Sequence, residues 1–116
     1  MATIVKQEFS ESDDGRPIKV ADSNTTIHQT QAGTGDNNFD EIWAWATNTS
    51  TAGVELTILW GGTTDPDDKI IVTIPPKSGL TQIIPGLVLQ GGDDFLAVAA
   101  TTNVINIVGF VNKLTA

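Results

Sequence analysis

Turn-forming residues interrupt this sequence at short and fairly even intervals, and that spacing constrains the fold more than any other feature. Clusters rich in Gly, Pro, Asn, Asp and Ser fall at residues 13–15, 22–24, 33–38, 48–53, 61–68, 75–79, 85–86 and 91–94. The segments between them are short and rich in Val, Ile, Thr, Leu and Trp, which favour strands over helices. The sequence therefore predicts an all-β domain of about eight or nine strands.

Two segments show the alternation expected of strands most clearly. In residues 54–60 the apolar side chains alternate with Glu55, Thr57 and Leu59, which predicts one face on the core. In residues 39–47, Trp43 and Trp45 share one face while Ile42, Ala44 and Ala46 share the other. Because both faces are apolar, we expect this strand to be central in its sheet or to lie at an interface.

The second half of the chain contains three further strand signals. Residues 70–74 alternate and are stopped by a Pro-Pro pair, because proline cannot donate a ladder hydrogen bond. Residues 79–90 form one bent strand or a tight turn around Pro85, and we prefer the bent strand. Residues 95–101 and 104–114, joined by Thr-Thr-Asn, are expected to form a terminal hairpin in which Ile105, Ile107 and Val111 point inward.

This number of short strands predicts a two-sheet sandwich or a small barrel, because one open sheet of that size would leave a face and its edges exposed. We expect an antiparallel β-sandwich. A jelly-roll-like sandwich is favoured over an immunoglobulin-like one, since the Cys-Trp-Cys core pattern of antibody domains is missing. Residues 1–16 are more polar than the rest and are a candidate extended arm, and residues 17–116 form the single sandwich domain.

Composition excludes several classes of function. The chain has 116 residues and 0 Cys, so disulfide scaffolds, thiolate zinc sites and cysteine nucleophiles are excluded. Its net charge of -8, with only 6 Lys and Arg, opposes binding to nucleic acid or an anionic membrane. Neither a secretory signal nor a long apolar run is present, so we expect no Sec export and no membrane span.

Catalytic and metal-binding signals are weak, and we predict no catalytic residue and no cofactor. The single histidine, His28, lies in a strand-like segment without a nucleophile motif, and we expect it to face solvent. Asp65, Asp67 and Asp68 gather in one loop and are weak candidates for a calcium site. The loop does not match an EF-hand, and ordinary turn chemistry is the preferred interpretation.

The aromatic residues are the candidates for binding. Trp43, Trp45, Trp60 and Phe9 are candidate interface residues. Packing between the two sheets is the commonest use of such side chains, followed by contact between subunits and then by stacking against a ligand.

From residue 39 onward the sequence resembles small virion structural proteins of tailed bacteriophages. The resemblance rests on residues 40–43 (DEIW), 48–50 (NTS), 60–68 (WGGTTDPDD), 85–87 (PGL) and 99–112 (AATTNVINIVGFVN). The first 38 residues do not share the pattern, so both sandwich strands and an arm stay open for them.

The resemblance implies a β-rich protein without enzymatic activity, such as a capsid decoration or cement protein. Such a protein would bind the major capsid protein on the virion surface, after assembly in the host bacterial cytoplasm. A homotrimer at local three-fold axes would match the symmetry of an icosahedral shell. The alternatives are a small tail fibre, collar or head-to-tail component, or a carbohydrate-binding module displayed on the virion.

Overall fold

The computed structural model describes residues 2–32 and 38–116, and these form nine antiparallel strands. The strands are β1 Thr3–Gln7, β2 Ile18–Val20, β3 Thr25–Gln29, β4 Phe39–Asn48, β5 Val54–Trp60, β6 Lys69–Ile74, β7 Thr81–Leu89, β8 Asp94–Ala99 and β9 Ile105–Thr115. Neither described range contains a helix. The all-β prediction is therefore confirmed.

The strands form two sheets packed face to face. The five-stranded sheet has the order β1-β9-β4-β7, with β2 also paired to β9, and the four-stranded sheet has the order β3-β8-β5-β6. From β2 onward, β5 and β6 are the one pair of consecutive described strands that lie side by side, and every other connection crosses to the opposite sheet. This alternation between sheets is the arrangement of a jelly roll, as the sequence predicts.

Alternating apolar residues build the core between the sheets. In β4 the buried residues are the even-numbered ones, including Ile42, Ala44 and Ala46, while the odd-numbered residues face outward and are half-buried. In β5 the buried inward residues include Leu56 and Ile58, as predicted. Each fully buried branched side chain contributes about 1.5–3 kcal/mol relative to its exposed state. The central position predicted for β4 is confirmed, because it lies between β9 and β7.

The N-terminal segment is part of the sandwich and not an extended arm. All five residues of β1 pair with β9, from Thr3 opposite Thr115 to Gln7 opposite Val111. Phe9, immediately after β1, is 2% exposed and belongs to the core. The burial of Phe9 could not be predicted from the sequence, because a single apolar residue in a polar segment shows no periodicity.

The terminal hairpin predicted from residues 95–114 is wrong, although both of its strands exist. β8 pairs with β3 and β5, whereas β9 pairs with β1, β2 and β4 in the opposite sheet. The connection between them is bonded to β2 through Asn103 N–H to Val20 O, and the last residue of β8 is bonded to the residue after β2 through Ala99 N–H to Ala21 O. Alternation shows that each strand has one buried face. It does not show whether two successive strands lie in the same sheet or in opposite sheets, because both arrangements bury that face.

Candidate protein-binding surface

Three aromatic side chains form a row on the outer face of the five-stranded sheet. The Trp43 and Phe110 rings are stacked, with centroids 6.3 Å apart and planes 16° from parallel. The Trp45 ring also contacts Phe110, with centroids 6.1 Å apart and planes 31° apart. All three side chains are half-buried. We call Trp43, Trp45 and Phe110 the aromatic row.

Strand pairing produces this row. Trp43 is directly opposite Phe110, and Trp45 is opposite Val108, so the outward residues of β4 and β9 meet side by side. Cross-strand aromatic pairs of this kind stabilise a sheet by about 0.2–1 kcal/mol each. Phe110 was not among the candidates from the sequence. Its outward position could have been found there, because it lies an odd number of residues from the inward Ile105, Ile107 and Val111.

A bend in β7 makes room for the Trp43 side chain. β7 runs through Pro85 and Gly86 as one strand, as predicted, with irregular register on both sides of Trp43. Gly86 has φ +81°, and a Cβ there would lie 2.5 Å from the Trp43 ring. A side chain at this position would therefore collide with the indole, in a backbone conformation that already favours glycine.

Polar groups border the aromatic row at one end. The Trp43 indole N–H donates to Glu41 Oε1 at 2.7 Å, and the Asn112 amide donates to the same oxygen at 3.0 Å. These two hydrogen bonds, the indole's first, hold the pKa of the Glu41 carboxyl below its ordinary value. The Lys6 ammonium lies 4.5 Å from the Phe110 ring centroid, in a cation–π contact. An apolar stack with a charged border is the usual composition of a protein interface.

The other two candidate interface residues lie elsewhere. Trp60 is on the inward face of β5, packs against the core, and has its ring centroid 5.5 Å from that of Phe95. Phe9 meets Phe95 edge-on, with centroids 6.0 Å apart and planes 85° apart. Because Phe9 is buried, it has no surface to offer a partner, and its candidacy as an interface residue is corrected.

The loop between β5 and β6 uses its carboxylates within its own turn. Asp65 pairs with Lys69 at 3.2 Å, and Asp68 accepts the Thr64 backbone N–H at 2.9 Å. Asp67 is exposed. In residues 2–32 and 38–116 no three acidic or histidine side chains come together as a metal site would require. The loop joins two strands of the four-stranded sheet, whereas the aromatic row lies on the five-stranded sheet, so the structure does not bring them together.

His28 is buried and not solvent-facing, which corrects the expectation from its strand-like context. Its Nδ1 accepts the Ser10 backbone N–H at 2.9 Å, so the ring proton is on Nε2, which donates to Asp40 Oδ2 at 2.8 Å. Asp40 Oδ1 also accepts the Gln31 side-chain amide at 3.1 Å. Both ring nitrogens are occupied, and the Ser10 hydroxyl oxygen accepts the Gln29 backbone N–H at 2.9 Å. The cluster ties the segment after β1 to β3 and β4.

Comparison with known proteins gives a fold but not a family. No protein-family model matches the chain, and no curated protein matches it either. A solved structure from Bacillus endospore appendages, described as a novel family of disulfide-linked pili, is similar over 98% of this chain and 88% of the other. The TM-score is 0.51 at 14% sequence identity, so the similarity concerns the fold alone. Among the described residues no helix is long and apolar enough to cross a membrane.

Proposed function

We propose that this chain is a non-enzymatic structural subunit of a bacteriophage virion, most specifically a capsid decoration or cement protein that bridges major capsid subunits. The aromatic row is the observation that carries the binding part of the proposal, and the sequence resemblance from residue 39 onward supports the phage virion. Two tryptophans and a phenylalanine lie outward on a sheet face in a chain of net charge -8, where a solvated β-surface would be polar. Tryptophan is also the residue type most enriched where binding energy is concentrated.

Binding itself is the activity in this proposal. The row offers an apolar contact held in place by its surroundings, because the Trp43 ring stacks on Phe110 and lies against Gly86 in the bend of β7. Glu41, Asn112 and Lys6 at its border supply hydrogen bonds and charge that set the orientation of a partner. Many modest contacts repeated over a shell add through multivalency, which is how a small protein resists the pressure of packaged DNA.

The experiment that tests this function is cryo-electron microscopy of virions of the phage that encodes the chain. We expect density for a small jelly roll at repeated positions between capsid subunits, with the five-stranded sheet against the shell. Density confined to the portal vertex would favour the collar or fibre alternative. A particle without such density contradicts the proposed function.

A binding assay tests the assigned surface. Purified protein is mixed with capsids that lack it, and the bound fraction is measured by sedimentation. Trp45→Ala is expected to weaken binding by about thirtyfold, since a central tryptophan contributes about 2 kcal/mol or more. Thr57→Ala, on the outer face of the four-stranded sheet, is the matched control and should bind like the wild type. Equal losses for both variants would contradict the assignment.

A second candidate function is a subunit of a surface appendage. The similarity to a pilus protein over nearly the whole chain favours it, because the same fold assembles there into fibres. With 0 Cys, this chain cannot form the disulfide links described for those pili. Filaments formed by the purified protein without capsids would favour this candidate over the capsid role.

A further inference from the structure

The large hydrophobic side chains that are exposed lie on edge strands of the two sheets and on one connection between them. Among the described residues they are Ile4 65%, Val5 49%, Ile70 37%, Ile71 58%, Leu80 60%, Leu87 40% and Val88 53%. The first two belong to β1, and the other five belong to β6, β7 and their connection. β1 and β7 are opposite edges of the five-stranded sheet, and β6 is an edge of the four-stranded sheet and contacts β4.

Two of the four sheet edges are regular enough to accept another strand. β7 is interrupted by two register shifts and by Pro85, which has no N–H, and β3 contains a register shift between Thr26 and His28. β6 pairs with β5 without interruption from Ile74 to Lys69, and β1 pairs with β9 without interruption. No described strand bonds to the other edge of either β1 or β6.

The exposed side chains of these two edges are complementary. Ile4 lies on the outer face of its sheet, opposite Leu114, and its neighbour Val5 lies on the inner face. Ile71 lies on the outer face of β6, opposite Thr57, and its neighbour Ile70 lies on the inner face, opposite Ile58. Each edge therefore presents one apolar side chain to each face. Paired side by side, the two strands would bury an apolar pair on both faces.

The lysines that could block these edges are held within their own copy. A lysine on an edge strand commonly prevents pairing with another chain, because pairing would bury its charge. Lys6 of β1 lies over the Phe110 ring at 4.5 Å, and Lys69 of β6 pairs with Asp65 at 3.2 Å. In the antiparallel register that pairs Ile4 with Ile71 and Val5 with Ile70, Lys6 comes opposite Lys69, and the Asp65 carboxylate offsets the repulsion between the two ammonium groups.

We propose that β1 of one copy adds to β6 of a second copy, so that a sheet of one subunit continues into the sheet of the next. Backbone hydrogen bonds supply the attraction, and the apolar pairs set the register. Because the two edges differ, the contact is head-to-tail, and repetition closes a ring or extends a filament. The inference rests on the proposed structural role and adds the contact between copies that such an assembly requires.

Engineered cysteines test this contact directly, because the natural chain has 0 Cys. Cross-strand neighbours have Cβ atoms about 4.5–5.5 Å apart, close to disulfide range. Under mild oxidation, an equal mixture of Ile4→Cys and Ile71→Cys proteins should form a mixed disulfide dimer, while each protein alone should form little. A mixture of Ile4→Cys with Glu55→Cys, exposed in the centre of the other sheet, is the control.

Two results would overturn the proposal. One is a mixed dimer no more abundant than in the Glu55→Cys control. The other is equal cross-linking of the Ile4→Cys protein alone, which would mean that β1 pairs with β1 in a two-fold dimer.

Sedimentation equilibrium gives an independent measurement. Ile71→Lys should weaken self-association by about tenfold, because pairing would bury an unpaired charge. Val88→Lys, a similar change on the neighbouring edge β7, should leave it unchanged. A larger effect of Val88→Lys, or a wild-type protein that stays monomeric at millimolar concentration, would contradict the contact. Neither result changes where the protein lies on a virion, so failure of this contact is distinguishable from failure of the proposed function.

Discussion

Replacing Phe9 with alanine is expected to lower the free energy of unfolding by about 3–5 kcal/mol, the range for a buried phenylalanine. The side chain is 2% exposed, meets Phe95 edge-on and lies 5.9 Å from the His28 ring, centroid to centroid. Position 109 is glycine, and a Cβ built there would lie 2.8 Å from the Phe9 ring. Because Gly109 has no side chain that could move into the space, the cavity left by Phe9→Ala should persist.

Urea denaturation followed by tryptophan fluorescence measures this loss. For a domain of this size the same change corresponds to a fall in Tm of about 12–20 °C. Val5→Ala is the matched control, since Val5 precedes Phe9 in the same segment but is half exposed, and it should cost about 0.5 kcal/mol or less. If Phe9→Ala costs under about 1 kcal/mol with an unchanged denaturant slope, the segment is not part of the cooperative core.

Three further predictions concern single side chains. Asn48→Ala should cost about 2–3 kcal/mol in urea denaturation, because the buried amide donates to Ile74 O at 2.9 Å and its loss strands that acceptor; a cost under about 0.5 kcal/mol would argue against this role. Gly86→Ala should destabilise by at least about 1–2 kcal/mol and shift the tryptophan emission, since the new Cβ would displace the Trp43 indole. Unchanged emission and stability would show that the indole does not lie against Gly86. The stabilisation from Glu41 should be present above its unfolded pKa, near 4.5, and be lost as pH falls through its lower folded value. Glu41→Gln should therefore flatten the fall in stability at acid pH, and identical pH profiles for the two proteins would contradict the hydrogen-bonded carboxylate.

The strands themselves were predictable from local pattern. Residues 54–60 and the Trp43 segment alternate so regularly that both the strand and its buried face follow from the sequence. The continuous strand through Pro85 was also predictable, because apolar residues continue on both sides of the bend. These features depend on neighbours in the chain, where the period of two acts directly.

The candidate surface was predictable only in part. Trp43 and Trp45 were identified as sharing a face, but Phe110 joins them only because β9 pairs with β4 in one particular register. His28 was expected to face solvent, and it is buried because Asp40 and the Ser10 backbone satisfy both of its ring nitrogens. A buried polar side chain depends on partners that are distant in the sequence.

Local alternation is enough to establish that this chain is an all-β sandwich, where most of its strands lie and which face of each strand is apolar. Only contacts between distant parts of the chain determine which strands are neighbours, that β8 and β9 separate into opposite sheets, and that the polar N-terminal segment is anchored through Phe9. Alternation requires only that one face of a strand be buried, and a place in either sheet of the sandwich satisfies that requirement.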